Sequence, residues 1–182
     1  MKGDRVTIRF FQPADAEEKL QLEMENRSFF EAYSTTRYPD FYTLLIQREL
    51  IEIYAEQKEN DQGYSFGIFE NETGLLVGTI SLVQVVRGPL QSAVLGYALD
   101  KKYNNKGYAT EAIQLLISYA FRKLALHRIE AGVMPGNDAS VRVLEKSGFH
   151  KEGIAIQNVQ INGEWQDHQM LAIINPRDLP KA

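Results

Sequence analysis

The segment Tyr103-Asn104-Asn105-Lys106-Gly107-Tyr108-Ala109-Thr110-Glu111-Ala112 leaves an apolar stretch and runs straight into a helical pattern. Its residue types suit a phosphate. Gly107 permits a tight turn and a close backbone approach, and small Ala109 leaves the first turn uncrowded, so successive N–H groups can converge on one anion. A helix start has unpaired N–H groups and a dipole end worth roughly half a positive charge. Lys106 adds a mobile cation and Thr110 a first-turn hydroxyl. A Gly-x-Ala before a helix is a short motif that a surface loop entering a core helix also satisfies. The helix itself is well marked: Ala109, Ala112, Ile113, Leu116, Ile117, Ala120, Phe121 and Leu124 recur at i, i+3 and i+4.

A second signal follows. Arg128-Ile129-Glu130-Ala131-Gly132-Val133 reads as a strand, and Met134-Pro135-Gly136-Asn137-Asp138-Ala139-Ser140 turns into a short helix that stops at Gly148-Phe149. Together the two segments resemble the GNAT superfamily of N-acetyltransferases. That family's pyrophosphate loop, (Gln/Arg)-x-x-Gly-x-(Gly/Ala), maps onto Asn104 to Ala109. Its second half, a strand followed by Asn-x-x-(Ala/Ser) and a helix ending in Gly-Phe, maps onto Asn137 to Ser140 and Gly148-Phe149. His127-Arg128-Ile129-Glu130-Ala131, Met134-Pro135-Gly136-Asn137, Gly148-Phe149-His150-Lys151-Glu152-Gly153 and Ile161-Asn162-Gly163-Glu164-Trp165-Gln166-Asp167-His168 resemble the RimJ/RimL branch, the ribosomal-protein N-terminal acetyltransferases.

The resemblance implies acetyl-CoA as cosubstrate and direct transfer, in which a neutral amine attacks the thioester and CoA leaves as a thiolate. It requires neither a metal nor a covalent enzyme intermediate. It implies an α/β (α+β) fold: a single domain over 1–182 with a mixed, mostly antiparallel sheet of about seven strands flanked by helices, and a splayed strand pair holding acetyl-CoA. Residues 1–60 would supply the first strand and the acceptor-side helices, and 61–182 the coenzyme core and the C-terminal hairpin. Coenzyme contacts then fall on Ala98, Leu99, Asn104, Asn105, Lys106, Gly107, Tyr108, Ala109, Thr110 and Asn137, with a backbone N–H near Ala98 and Leu99 as oxyanion donor. The chain departs from the pattern at Asn104, which is shorter than glutamine and lacks arginine's charge.

On the leaving-group side, many members carry a tyrosine where this chain has Leu144, whereas RimL-like relatives use the serine of Asn-x-x-Ser, here Ser140. Its hydroxyl either serves the sulfur or satisfies a free N–H at the helix start. Asn137 has the same two uses, coenzyme ligand and N-cap. For a general base, the positions where relatives carry a carboxylate hold Val94 and Val159. Glu130 and His168 are the candidates that remain, Glu130 unless strand alternation turns it outward. His168, beside Asp167, reads either as a general base or, by preference, as a structural residue of the last strand. Phe29, Phe30 and Tyr33, with Tyr38, either wall the acceptor site or cap the core; Trp165 poses the same choice.

The elements that must position these groups alternate in type. Arg5 to Phe11 alternates as a strand, Pro13-Ala14-Asp15-Ala16-Glu17 begins a helix, and a second helix is predicted from Phe41 to about Lys58. Strands follow at Tyr64 to Phe69, Leu75 to Val86 and Ala93 to Leu99, with turns at Glu70 to Gly74 and Gly88-Pro89. After the strand–helix–strand crossover, a terminal hairpin turns at Asn162-Gly163.

Composition sets the remaining bounds. With 182 residues, 44% of them apolar, the chain can close one substantial core. The absence of cysteine excludes disulfides and a cysteine acyl-enzyme. No apolar run reaches the roughly 18 residues of a membrane span, and no signal pattern opens the chain, so a cytoplasmic location is expected. A net charge of −4 argues against a general nucleic-acid partner. Monomer and homodimer are both compatible with the sequence. Three readings stay open: transfer to the N-terminal α-amine of a protein or peptide, such as a ribosomal protein; transfer to a small amine such as a polyamine, amino acid or aminoglycoside; or non-catalytic acyl-CoA binding.

Overall fold

A computed structural model describes residues 1–35 and 37–178. One seven-stranded sheet runs through it, with strands β1 (Val6–Phe10), β2 (Tyr64–Glu70), β3 (Leu76–Val86), β4 (Ser92–Leu99), β5 (Arg128–Val133), β6 (His150–Ile161) and β7 (Glu164–Ile174) in the spatial order β1-β2-β3-β4-β5-β7-β6. All neighbours are antiparallel except β4 and β5. That parallel pair needs a crossover, which α4 (Tyr108–Arg122) supplies. The other helices are α1 (Ala16–Glu25), α2 (Arg27–Glu31), α3 (Leu44–Glu59) and α5 (Asp138–Lys146).

Burial follows the residue pattern. Every residue of β2 is buried, as befits a strand covered on both faces. The apolar stripe of α4, Ala112, Ile113, Leu116, Ala120 and Phe121, packs with Leu95 and Leu99 of β4 and Ile129, Ala131 and Val133 of β5. Each fully buried aliphatic side chain of this kind contributes about 1.5–3 kcal/mol. A smaller cluster joins Leu22, Phe30, Phe69 and Leu76.

The parallel pairing of β4 with β5 covers only Ser92↔Arg128, Ala93↔Ile129 and Val94↔Glu130. From Leu95 and Ala131 onward the strands diverge, so the expected splay is present and opens toward Leu99. The terminal hairpin turns where expected, with Asn162 at φ +51° and Gly163 at φ +83°. Two left-handed residues in succession give the turn whose twist matches antiparallel strands.

Several boundaries differ from the sequence reading. The helix expected from Phe41 begins at Leu44; before it, Pro39–Tyr42 forms a separate 3-10 turn. Thr43 divides them because its backbone is extended and its Oγ1 accepts the Ile46 N–H at 3.4 Å as an N-cap. At Pro13 the chain makes a 3-10 turn through Asp15, and the α-helix starts at Ala16. The segment between the first two predicted helices contains a short helix of its own, α2, which carries Phe29 and Phe30.

Candidate active site

Where β4 and β5 part, a cleft of about 710 Å³ opens between the start of α4, the start of α5 and the end of α2. The loop before α4 forms one end of it. Gly107 caps the helix at φ +82°, ψ 0°, a conformation strained for residues with a Cβ. The first helical bond of α4 runs from the Glu111 N–H to the Gly107 carbonyl at 3.1 Å, so the N–H groups of Tyr108, Ala109 and Thr110 have no acceptor within the helix. Three free amides in succession at a glycine-capped helix start are the geometry expected from the residue types, and both sides of the turn are anchored. Glu111 Oε1 accepts the N–H groups of Arg5 at 2.9 Å and Val6 at 3.2 Å, and Arg5 Nη1 donates to the Lys106 carbonyl at 2.6 Å. The loop thus hangs from the start of the edge strand by side-chain-to-backbone hydrogen bonds.

Most of the expected contacts line this one cleft: Ala98, Leu99, Asn104, Asn105, Gly107, Tyr108, Ala109, Thr110 and Asn137, with Ser140 beside them and Phe29, Phe30 and Tyr33 at the far end. Lys106 does not. Its ammonium lies over the Tyr103 ring, 4.8 Å from the centroid, outside the cleft lining. Tyr108 turns its phenol away, donating to Glu70 Oε1 at 2.6 Å; that bond to a carboxylate, with burial, pushes the phenol pKa up to about 12.

Cations reach the cleft from an unexpected element. Arg142 and Lys146 project from α5 at successive i+4 positions after Asp138 and line the wall. That spacing is visible in the sequence, but its direction depends on how α5 packs. Arg37 lines the opposite end and is ion-paired with the buried Glu23. Among the described residues lining the cleft, Asp138 is the sole carboxylate.

Asn137 is the N-cap of α5, its Oδ1 accepting the Ser140 N–H at 3.2 Å. The Ser140 hydroxyl is therefore not spent on capping; it lies 2.9 Å from the phenol oxygen of Tyr97. Tyr97, on β4, also lines the cleft, which neither its residue type nor its spacing reveals. Burial raises its phenol pKa above the usual value. Phe30 is buried in the smaller core cluster and also borders the cleft, whereas Phe29 and Tyr33 are exposed there.

Glu130 requires a correction. Its carboxylate accepts from Arg128 Nε at 2.7 Å, and the same guanidinium holds Glu152. It borders no part of the cleft, because Ile129, Ala131 and Val133 take the face of β5 toward α4 and alternation turns Glu130 to the other. His168 is also outside the cleft. It is buried on β7, its Nδ1–H donating to the Gln166 carbonyl at 3.3 Å, consistent with a strand-holding residue. Among the described residues no group of three His, Asp or Glu side chains is arranged to hold a metal ion. No helix is long and apolar enough to cross a membrane.

The comparisons with known proteins extend over nearly the whole chain. Residues 5–150 match the family model described as acetyltransferase (GNAT) domain. A probable N-acetyltransferase of Bacillus subtilis, YjcK, is 56% identical over 178 residues, covering 98% of each chain. The [ribosomal protein uS5]-alanine N-acetyltransferase of Escherichia coli is 33% identical over 95% of this chain and 89% of its own. Among solved structures, the ribosomal-protein-S5-alanine acetyltransferase of Vibrio fischeri superposes with a TM-score of 0.92 at 28% identity, covering 99% of this chain and 98% of that one. With the splayed pair, the amide cradle and these matches in agreement, the chain belongs to the GNAT family of acetyl-CoA-dependent N-acetyltransferases.

Proposed function

We propose that the acceptor is the N-terminal α-amine of a protein or peptide. The observation that carries the reading is the continuity of one cleft from the amide cradle at α4 to the aromatic wall of Phe29, Phe30 and Tyr33. An apolar wall with few charged contacts suits the first residues of a peptide. The relative from Escherichia coli, named for alanine acetylation of ribosomal protein uS5, supports the same class of acceptor.

Acetyl-CoA supplies an activated acyl group whose thioester the amine attacks, with the C–S electron pair leaving on sulfur. The chain's own residues do the rest. The Tyr108, Ala109 and Thr110 N–H groups bind the pyrophosphate, aided by Arg142 and Lys146 from α5. The diverging strand β4 offers main-chain groups at Ala98 and Leu99 to the pantetheine arm. The Ser140 hydroxyl donates to the departing sulfur. The proton lost by the amine nitrogen balances the one gained by sulfur and crosses through water. A peptide α-amine ionises at about 7.7–8.0, well below a lysine at about 10.4, so a useful fraction is already neutral near pH 7. Valines at positions 94 and 159 are compatible with such an acceptor.

The test is acetyl transfer followed by mass spectrometry, with peptides bearing each free N-terminal residue set against a pool of polyamines and free amino acids. The expected result is acetylation of peptide α-amines, with alanine or serine among the preferred first residues. Acetylation of the small amines alone would overturn the peptide reading. Coenzyme binding without transfer to any amine would point instead to an acyl-CoA-binding role.

A further inference from the structure

The Tyr97–Ser140 contact is not explained by packing alone. It joins residues 43 positions apart, one on the diverging strand β4 and one on the first turn of α5, across the wall of the cleft. Among the described residues it is the one hydrogen bond made by either hydroxyl. Either oxygen can be the donor in this contact, and both residues line the cleft. With Tyr97 donating, Ser140 accepts and its own O–H is left over for the cleft.

We infer that Tyr97 is a positioning residue for acetyl transfer: its phenol fixes the Ser140 hydroxyl so that the serine O–H is presented to the sulfur of CoA and stabilises it as a thiolate. The inference rests on the reading of Ser140 as the group that serves the sulfur. As the C–S bond breaks, its electron pair stays on sulfur and the Ser140 O–H hydrogen-bonds it; the proton that sulfur finally keeps derives from the amine nitrogen. Tyr97 retains its own proton throughout. Burial holds its phenol above the usual range, whereas a thiol ionises near 8.5, so transfer from phenol to thiolate runs uphill.

The decisive measurement is the ionisation of CoA bound to the protein, followed by thiolate absorbance in the near ultraviolet with desulfo-CoA as the blank, which cancels the tyrosines. In the wild type the bound thiol is expected to ionise below free CoA. Tyr97→Phe keeps the ring and removes the hydroxyl. It should leave CoA affinity unchanged and raise the bound thiol pKa by about one unit, the scale of one hydrogen bond to a charged group. Ser140→Ala should raise it at least as far, and the double variant no further than Ser140→Ala alone. With an alanine-initiated peptide or spermidine as acceptor, whichever supports turnover, Tyr97→Phe should lower kcat on the order of tenfold at unchanged KM for acetyl-CoA. A bound thiol that titrates identically in wild type and Tyr97→Phe overturns the role of Tyr97. So does a Tyr97→Phe shift that persists in the Ser140→Ala background, which would mean the tyrosine acts without the serine. If Ser140→Ala itself leaves the thiol unmoved, the Ser140 reading fails first. A shift in Ser140→Ala with none in Tyr97→Phe removes the tyrosine alone.

Discussion

Gly107→Val is the sharpest perturbation of the cradle. Gly107 stands at φ +82°, and a Cβ built there would lie 2.6 Å from Arg5 Nη1, the group that donates to the Lys106 carbonyl. An L-residue in this conformation is strained by about 1–2 kcal/mol, and β-branching adds to that. Displacing the guanidinium loses a charged hydrogen bond worth about 1.5 kcal/mol or more. The loop can escape this cost of roughly 3 kcal/mol only by leaving the conformation that aims the Tyr108, Ala109 and Thr110 amides at an anion. Coenzyme binding must then restore it, and at about 1.4 kcal/mol per decade affinity should fall on the order of 100-fold. The assay is CoA affinity by calorimetry, with the thermal midpoint measured alongside. Because Gly107 is exposed and outside the core cluster, the midpoint should move little. Gly74→Val is the matched control. That glycine has φ +74° in the turn between β2 and β3, with open space around it, so the same backbone strain is placed away from the cleft and CoA affinity should stay intact. A Gly107→Val protein that binds CoA normally would refute the amide-cradle reasoning, whatever its stability.

Other consequences can be measured with the same tools. Lys19 is 2% exposed and hydrogen-bonded to Gln47; burial lowers its pKa from 10.5 to about 8. Between those two values the unfolded chain holds a proton that the folded chain has lost, so this group makes stability rise with pH, by up to ~3 kcal/mol from 2.5 units. Lys19→Met should abolish that rise relative to wild type in urea titrations from pH 7 to 10, a difference in which the tyrosines common to both proteins cancel. Arg142→Ala and Lys146→Ala should each weaken CoA binding about two- to fivefold, less at high salt, because both side chains are exposed and screened; affinities at two ionic strengths check this. Glu130→Gln should retain turnover and lose at most about 1 kcal/mol of stability, since it breaks a partly exposed ion pair with Arg128 away from the cleft. A large loss of kcat with a normal thermal midpoint would return Glu130 to the reaction.

Features that repeat locally or depend on backbone chemistry are legible along the chain. The 3.6-residue recurrence through Ala112, Ile113, Leu116 and Ala120 specified α4 and its buried face, because a helix places i, i+3 and i+4 on one side wherever it packs. Gly107 and the Asn162-Gly163 pair marked two left-handed turns, since few other residues tolerate them. The order of a strand, a glycine-bearing loop, a helix, a second strand and Asn137 to Ser140 carried the family resemblance, and both segments line one cleft. Which side chains enter that cleft depends on how the elements pack. Glu130 faced away because β5 pairs β4 and β7 in a register that gives the α4 side to its apolar neighbours. Lys106 settled on Tyr103, while Arg142 and Lys146 reached the cleft from a helix whose rotation is set by Leu144 in the core. Spacing along the chain could not have revealed that Tyr97 and Ser140 meet: 43 residues separate them, and their contact exists only because α5 packs over the strand where β4 and β5 diverge.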